Sequence, residues 1–234
     1  MNQVTETIRT LGFAFVQAAA MRAALAEHGT LTGWDGFAAS WDDLGQDTYM
    51  ADGGRYRKRR HAVFRVIENV AERLPSQPHY QSRDYNQMNG GIERWFQPVL
   101  PSTAEGAPMT AVLRFCTALF GALTSARSWF VEMHQFRIEA RAGEAGRPTP
   151  EGMHRDGVDY VLVLLIRRHN VRSGVTSVHD LTGRTLGSFT LTEPFDSALV
   201  DDTRVMHGVT PVEPVDPRGP AFRDVLVLTF KREG

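Results

Sequence analysis

The stretch that decides the fold reads PEGMHRDGVDYVLVLLIRR, residues 150–168. Its second half is a continuous apolar run of strand length, the most buried strand that the chain offers. Its first half sets His154 and Asp156 one residue apart, between a Pro-Gly turn and that run. Both side chains cost free energy to desolvate, so their placement against an apolar wall requires a compensating partner. Side chains at i and i+2 of an extended chain project to the same side. A single cation can therefore serve His154 and Asp156 together while Arg155 points away.

Working outward, the sequence after Ser128 alternates short β-branched and aromatic runs with turn chemistry. The runs are FVEMHQFRIEA, DYVLVLLIRR, GVTSVHD, TLGSFTLT, SALVDD, RVMHGVTPV and FRDVLVLTFKR, separated by NVRSG, LTGR, EPFD and PVDPRGP. Seven strands in this span predict an antiparallel sandwich or barrel. Before Ser128 the pattern is different. GFAFV at 12–16 reads as a short strand, Gln17 to His28 as a helix closed by Gly29, PSTAEGAP at 101–108 as a loop, and Val112, Phe115, Cys116, Leu119, Phe120 and Leu123 as one face of a helix. The fold expected is mainly β with flanking helices (α+β), one domain over 1–234. Its helical or mixed part, 1–128, covers one sheet of a β core at 129–234.

The totals narrow the partners. With 26 Lys and Arg against 27 Asp and Glu, net charge is −1, which argues against nucleic acid or an anionic membrane and for a small molecule. The basic cluster RYRKRR, 55–60, has no second basic block after it and reads as solvated surface. Cys116 is the only cysteine, so an intrachain disulfide and a thiolate metal site are excluded, and a reducing compartment fits. LGFAFVQAAA resembles a signal-peptide core, but Glu6 precedes it and a helix-like segment continues directly from it. No run approaches a membrane span. A cytoplasmic protein without a membrane partner is expected, and a homodimer is the one assembly considered.

Far along the chain from the first pair, His207 follows SALVDDTRV and precedes Gly208, at a predicted strand end. Two imidazoles and one carboxylate on one face of an ion leave three coordination positions open, the set used by non-haem Fe(II) oxygenases. Such iron draws two electrons from a co-substrate, commonly a chelating 2-oxo acid. If that acid is 2-oxoglutarate, its far carboxylate calls for a buried guanidinium. Arg223, heading FRDVLVLTF and sharing a strand face with Val225, Val227 and Thr229, suits this role. Arg218 in DPRGP is its rival.

PTPEGMHRDGVDYV, RRHNVRSG, HQFRI, MHGVTPV and FRDVLVLTF, together with YNQMNGGIERWFQP, resemble the bacterial Fe(II)/2-oxoglutarate-dependent amino-acid dioxygenases of the L-isoleucine dioxygenase type. The similarity covers most of the span from Tyr85 to the C-terminus. It implies a double-stranded β-helix (jelly roll), iron on His154, Asp156 and His207, 2-oxoglutarate partly on Arg223, and O2 as oxidant. The expected reaction is hydroxylation of an aliphatic C–H of a free L-amino acid or close derivative, with release of succinate and CO2. Where such relatives carry paired glycines after NV, this chain has Arg172-Ser173-Gly174, a change expected to reshape the pocket.

An amino-acid substrate needs a cation for its carboxylate. Arg137 with Gln135 on the same strand face, Arg94 and Arg83 are the candidates, with Tyr85 and Asn86 at the entrance and Trp95 and Phe96 assigned to the core. Three alternatives stand beside this reading: the same chemistry on an N-acylated or carrier-tethered amino acid, a cupin-type zinc or manganese enzyme, and a metal-free jelly-roll binding module. His169 and His179, expected in turns, do not supply the extra imidazoles that the cupin site favours.

Overall fold

A computed structural model describes residues 2–233. In chain order the elements are helix α1 (Asn2–Leu11), strand β1 (Phe13–Val16), helices α2 (Ala18–His28) and α3 (Trp34–Ala39), a 3-10 turn (Ser40–Asp43), strands β2 (Gly45–Gln46), β3 (Arg57–Ile67) and β4 (Val70–Arg73), and helices α4 (Pro101–Ala104) and α5 (Ala107–Thr124). The β half follows: β5 (Ser128–Ala140), β6 (Tyr160–His169), β7 (Val171–Ser173), β8 (Val175–Asp180), β9 (Thr185–Thr190), β10 (Ser197–Asp201), β11 (Val205–Val209), β12 (Val212–Pro214) and β13 (Ala221–Arg232).

The apolar run at the centre of the quoted stretch becomes β6, a middle strand of the major sheet β1-β10-β6-β13-β5-β3-β2, with β4 paired to β3. It is unbroken in hydrophobicity because both of its faces are covered. Leu162, Leu164 and Ile166 point to the helical layer, where they join Met21, Leu25, Trp41, Phe115, Leu119 and Phe120. Val161 and Val163 point the other way, toward Val178 and Val205 of the minor sheet β11-β8-β9. A two-stranded ribbon, β12-β7, extends this second layer over Ile138 and Ala140. The result is a jelly roll with helices on the outer face of one sheet.

All seven predicted runs form strands, and β7 and β12 are additional. The larger difference lies upstream. Strand β3 pairs with β5 from Arg57↔Ile138 to Ile67↔Ser128, so part of the major sheet comes from residues before 128. The cluster RYRKRR is consequently not a solvated surface: Arg57 and Arg59 are 6% and 3% exposed, while Lys58 and Arg60 alternate outward. Basic side chains at each of the positions 57–60 conceal a period-2 pattern.

Helix α2 ends before Gly29 as expected, but for a packing reason. Gly29 is extended (φ 167), and a Cβ there would stand 2.9 Å from that of Ala111 on α5. Contrary to the expectation that no run approaches a membrane span, helix α5 is by length and composition apolar enough to cross one. Its apolar residues, including fully buried Val112, Cys116, Leu119 and Phe120, form the contact with the sheet. Trp95 departs from the core assignment at 55% exposed, and Phe96 is half-buried.

Candidate metal centre and active-site cavity

Between the two sheets lies a cavity of about 460 Å³, walled in part by the segment 148–158 that leads from β5 toward β6. That segment is not a regular strand. One antiparallel bridge joins His154 to His207, the middle residue of β11, through His154 N–H to His207 O at 3.0 Å and His207 N–H to His154 O at 2.9 Å. The bridge places the two rings 4.6 Å apart and brings Asp156 between them. His154 Nε2 lies 3.7 Å from Asp156 Oδ1, and His207 Nε2 lies 3.6 Å from Asp156 Oδ2. One ligand atom from each of the three falls within 4.8 Å of the others.

Asp202 supplies the support that the sequence did not disclose. Its carboxylate is fully buried and accepts the N–H groups of Asp156 at 2.9 Å, Gly157 at 2.8 Å and Val158 at 3.2 Å. A run of three amides is thereby fixed by one side chain, and the orientation of Asp156 with it. Burial and the charge of Asp156 push the Asp202 carboxyl up to about 6. Arg155 does point away, donating to Asp202 O at 2.6 Å and lying over Tyr85. Gly157 adopts φ +80, and a Cβ there would meet the Tyr85 ring at 2.6 Å, so glycine is required twice over.

The donor set fits a divalent iron. His154 Nδ1 lies 3.1 Å from Gly152 O, which places the proton on Nδ1 and leaves Nε2 to face Asp156. Burial opposes charge on both rings, but the hydrogen bond and charge of Asp156 carry His154 up to about 9, whereas burial and the neighbouring His154 take His207 down to about 4. Asp156 itself, despite burial, is drawn down to about 2 by His154. Two imidazoles and one carboxylate, gathered on one side of an open cavity, are the ligand chemistry of a facial iron site.

Deeper in the cavity, Arg223 shares a face with Val225, Val227 and Thr229 as expected. It is 2% exposed, its Nε has no hydrogen-bond partner, and among the described residues no carboxylate pairs with it. Burial and the nearby Arg168 depress it to about 10. Arg218, the rival, is 88% exposed and tied to Asp216 at 2.8 Å.

Strand β5 corrects the substrate candidates by one residue. Phe130, Glu132, His134, Phe136 and Ile138 face the cavity, so Gln135 and Arg137 project to the helical side. There Gln135 donates to Ser40 Oγ at 2.8 Å, and Arg137 grips buried Asp224 at 2.7 and 2.8 Å and Asp42 at 2.8 Å. Arg83 packs beside Gly91 and is absent from the cavity wall. Arg94, Tyr85 and Asn86 do line it. Asn86 and Arg94 both donate to Gln81 Oε1, at 3.1 and 3.4 Å, and Gln81 Nε2 reaches Asp156 O at 3.1 Å. A polar relay thus links the far wall to the candidate metal centre.

The remaining wall was not anticipated. Arg59 lies against Phe96 and Phe136, 3.7 and 4.5 Å from the ring centres, and donates to His134 Nδ1 at 2.7 Å. His61 and His79 hold Glu132 Oε1 at 3.1 and 2.9 Å, so that despite burial its carboxyl stays far below the usual range. His61, His79, Glu132 and His134 form a second cluster with metal-ligand chemistry. Arg59 can only donate, so His134 Nδ1 accepts and the ring proton sits on Nε2. That ring presents a donor to its surroundings and is spent as a ligand. Arg172 pairs with Glu213 at 2.8 Å, and none of Arg172, Ser173 and Gly174 lines the cavity. His169 and His179 sit on β6 and β8 and not in turns, both off the cavity wall.

Comparison with known proteins agrees with this geometry. A family model described as 2OG-Fe dioxygenase matches residues 38–229. The chain is 27% identical over 180 residues to the L-isoleucine-4-hydroxylase of Bacillus thuringiensis, an alignment covering 75% of this chain and 72% of that protein. It is 28% identical over 159 residues to the 3(1)-hydroxy-L-isoleucine 4-dioxygenase of Pantoea ananatis, covering 66% of this chain and 64% of that one. Among solved structures, a bsmA homolog from Methylobium petroleophilum superposes with a TM-score of 0.91 at 38% identity, over 100% of this chain and 93% of that chain.

Proposed function

The chain belongs to the 2OG-Fe dioxygenase family, a class that uses Fe(II), 2-oxoglutarate and O2, and from that premise we propose that it hydroxylates an aliphatic C–H of a free L-amino acid or a close derivative. Family membership sets aside the metal-free binding module and the cupin-type alternative. The observation that carries the amino-acid reading is a pair of buried guanidiniums, Arg223 and Arg94, in one cavity. Among the described residues neither has a carboxylate partner, so the cavity is built for two anionic groups, one on each co-reactant. The isoleucine-directed names of the two curated relatives support the same substrate class.

In this reading His154, Asp156 and His207 hold the iron, and Arg223 takes the far carboxylate of 2-oxoglutarate. When bound, the iron couples oxidative decarboxylation of 2-oxoglutarate, to succinate and CO2, to insertion of one oxygen atom into the substrate C–H bond. The protein supplies position and dryness. Val161, Val163, Val225 and Val227 keep the floor of the cavity apolar, and Gln81 and Asp202 hold Asp156 in place. Arg94 receives the substrate carboxylate, with Asn86 behind it and Tyr85 at the mouth. The retained carboxylate of Asp156 favours hydroxylation over halogenation, because it occupies the position a halide would need. An N-acylated or carrier-tethered amino acid is the second reading.

Succinate release measured across the proteinogenic amino acids and their N-acetyl forms tests the proposal. Iron-dependent stimulation by an amino acid is the expected result. Stimulation by none of them, with the iron and 2-oxoglutarate sites filled, would defeat it.

A further inference from the structure

Among the described residues, Glu151 is the acidic side chain on the cavity wall that belongs neither to the candidate metal centre nor to a second cluster. Asp156 belongs to the candidate metal centre, and Glu132 is capped by two imidazoles. The Glu151 side chain is 12% exposed; its Oε2 is buried without a hydrogen-bond partner, and its Oε1 lies 3.5 Å from His154 Nε2. It stands outside the set of atoms that converge within 4.8 Å as metal ligands. A metal on His154 takes the lone pair of that same nitrogen, which then offers Glu151 no proton. In the loaded protein this buried carboxylate faces no hydrogen-bond donor among the described residues, a costly state unless a cation arrives.

We propose that Glu151 binds the α-ammonium group of the substrate, so that the cavity selects a free amino acid over an N-acylated one. This rests on the amino-acid reading above and decides between its two forms. Charge balance leads to it. Asp47 answers Arg57 at 2.7 Å and lies 3.7 Å from Arg59, while Glu132 offsets the charge left over on that wall. Iron with Asp156 and the dianion 2-oxoglutarate with Arg223 together come to zero. Leaving aside exposed Lys231, one cation and one anion remain on the wall, Arg94 and Glu151. Glu151 lies near enough to Arg94 to favour its charge, yet among the described residues no ion pair joins them. A zwitterion set between the two satisfies both. A substrate whose amine is blocked brings only its carboxylate and leaves Glu151 buried against an amide.

The test uses the full chain loaded anaerobically with Fe(II) and 2-oxoglutarate and titrated calorimetrically. The probes are L-isoleucine, L-leucine, L-valine and L-methionine, each beside its N-acetyl form. The wild type is expected to bind at least one free amino acid and to bind its N-acetyl form roughly 10–100-fold more weakly, the usual scale of one charge-assisted hydrogen bond. Glu151→Gln is expected to weaken the free amino acid by a similar factor, to leave the N-acetyl form unchanged, and to keep the visible band of the iron–2-oxoglutarate complex. Glu151→Asp should restore part of the loss. Equal or tighter binding of the N-acetyl form, an unchanged affinity in Glu151→Gln, or loss of the iron band in that variant would each overturn the assignment. The last would make Glu151 a metal ligand. If neither form of any probe binds or stimulates succinate release, the amino-acid reading falls and takes this inference with it.

Discussion

Replacing Arg223 by methionine should move stability and co-substrate affinity in opposite directions. The guanidinium is 2% exposed with no carboxylate beside it among the described residues, and burial depresses it to about 10, well below an ordinary guanidinium. At about 1.4 kcal/mol per unit, holding that charge costs the ligand-free protein about 3 kcal/mol. Methionine keeps much of the stem volume and removes the charge, so after the lost packing the variant should gain about 1–2 kcal/mol, or roughly 2–8 °C in Tm for a chain of this size. In the role proposed for Arg223, the same change would delete one partner of a buried charge pair with 2-oxoglutarate, a loss of roughly 2–5 kcal/mol that should weaken its binding about 30-fold or more. Thermal unfolding of the ligand-free protein reads the first effect, and anaerobic titration of the iron complex with 2-oxoglutarate reads the second. Arg218→Ala, on the exposed loop, is the control and should alter neither. A drop in Tm with 2-oxoglutarate affinity held within about threefold, or a loss of affinity in Arg218→Ala instead, would refute the reasoning.

Asp202→Asn leaves one acceptor where two oxygens now hold three amides, and iron affinity should fall roughly 10–100-fold with the fold retained, measured by competition with a chelator. Arg137→Ala strips the main partner from fully buried Asp224 and should cost about 2–4 kcal/mol in denaturant unfolding, partly cushioned by Arg167 at 3.0 Å, with the amino-acid KM unchanged. Gly157→Ala forces a non-glycine residue into φ +80 and its Cβ into the Tyr85 ring; about 1–3 kcal/mol of stability should be lost and the substrate KM should rise.

The β half was legible because its strands carry their own punctuation. DYVLVLLIRR announces a strand covered on both sides, and the turn residues around it fix its length. The candidate metal centre was legible for a different reason: His154, Asp156 and His207 are chemically conspicuous wherever they stand, although the backbone that joins them is a single bridge and not the extended run assumed. What escaped was phase. On β5 the sequence offered HQFRI, and choosing Gln135 and Arg137 over His134 and Phe136 selected the face turned to the helices. Nothing within five residues specifies which face is inward; the partner Asp224, far along the chain, does. Strand β3 was hidden similarly, since Arg57 and Arg59 look like surface until Asp47, Phe96 and Phe136 are seen around them. Asp202 left no trace in sequence, because its three acceptor contacts depend on a loop that only the folded chain brings near.

The account depends most directly on His154, Asp156 and His207 holding one ferrous ion, and anaerobic titration of the protein with Fe(II) in the presence of 2-oxoglutarate, followed by its visible absorption, measures this. The wild type should saturate at one equivalent of iron, and His154→Ala and His207→Ala should each fail to develop the band while their far-ultraviolet circular dichroism stays that of the parent. A band of undiminished intensity and affinity in either variant would place the iron elsewhere and contradict the account.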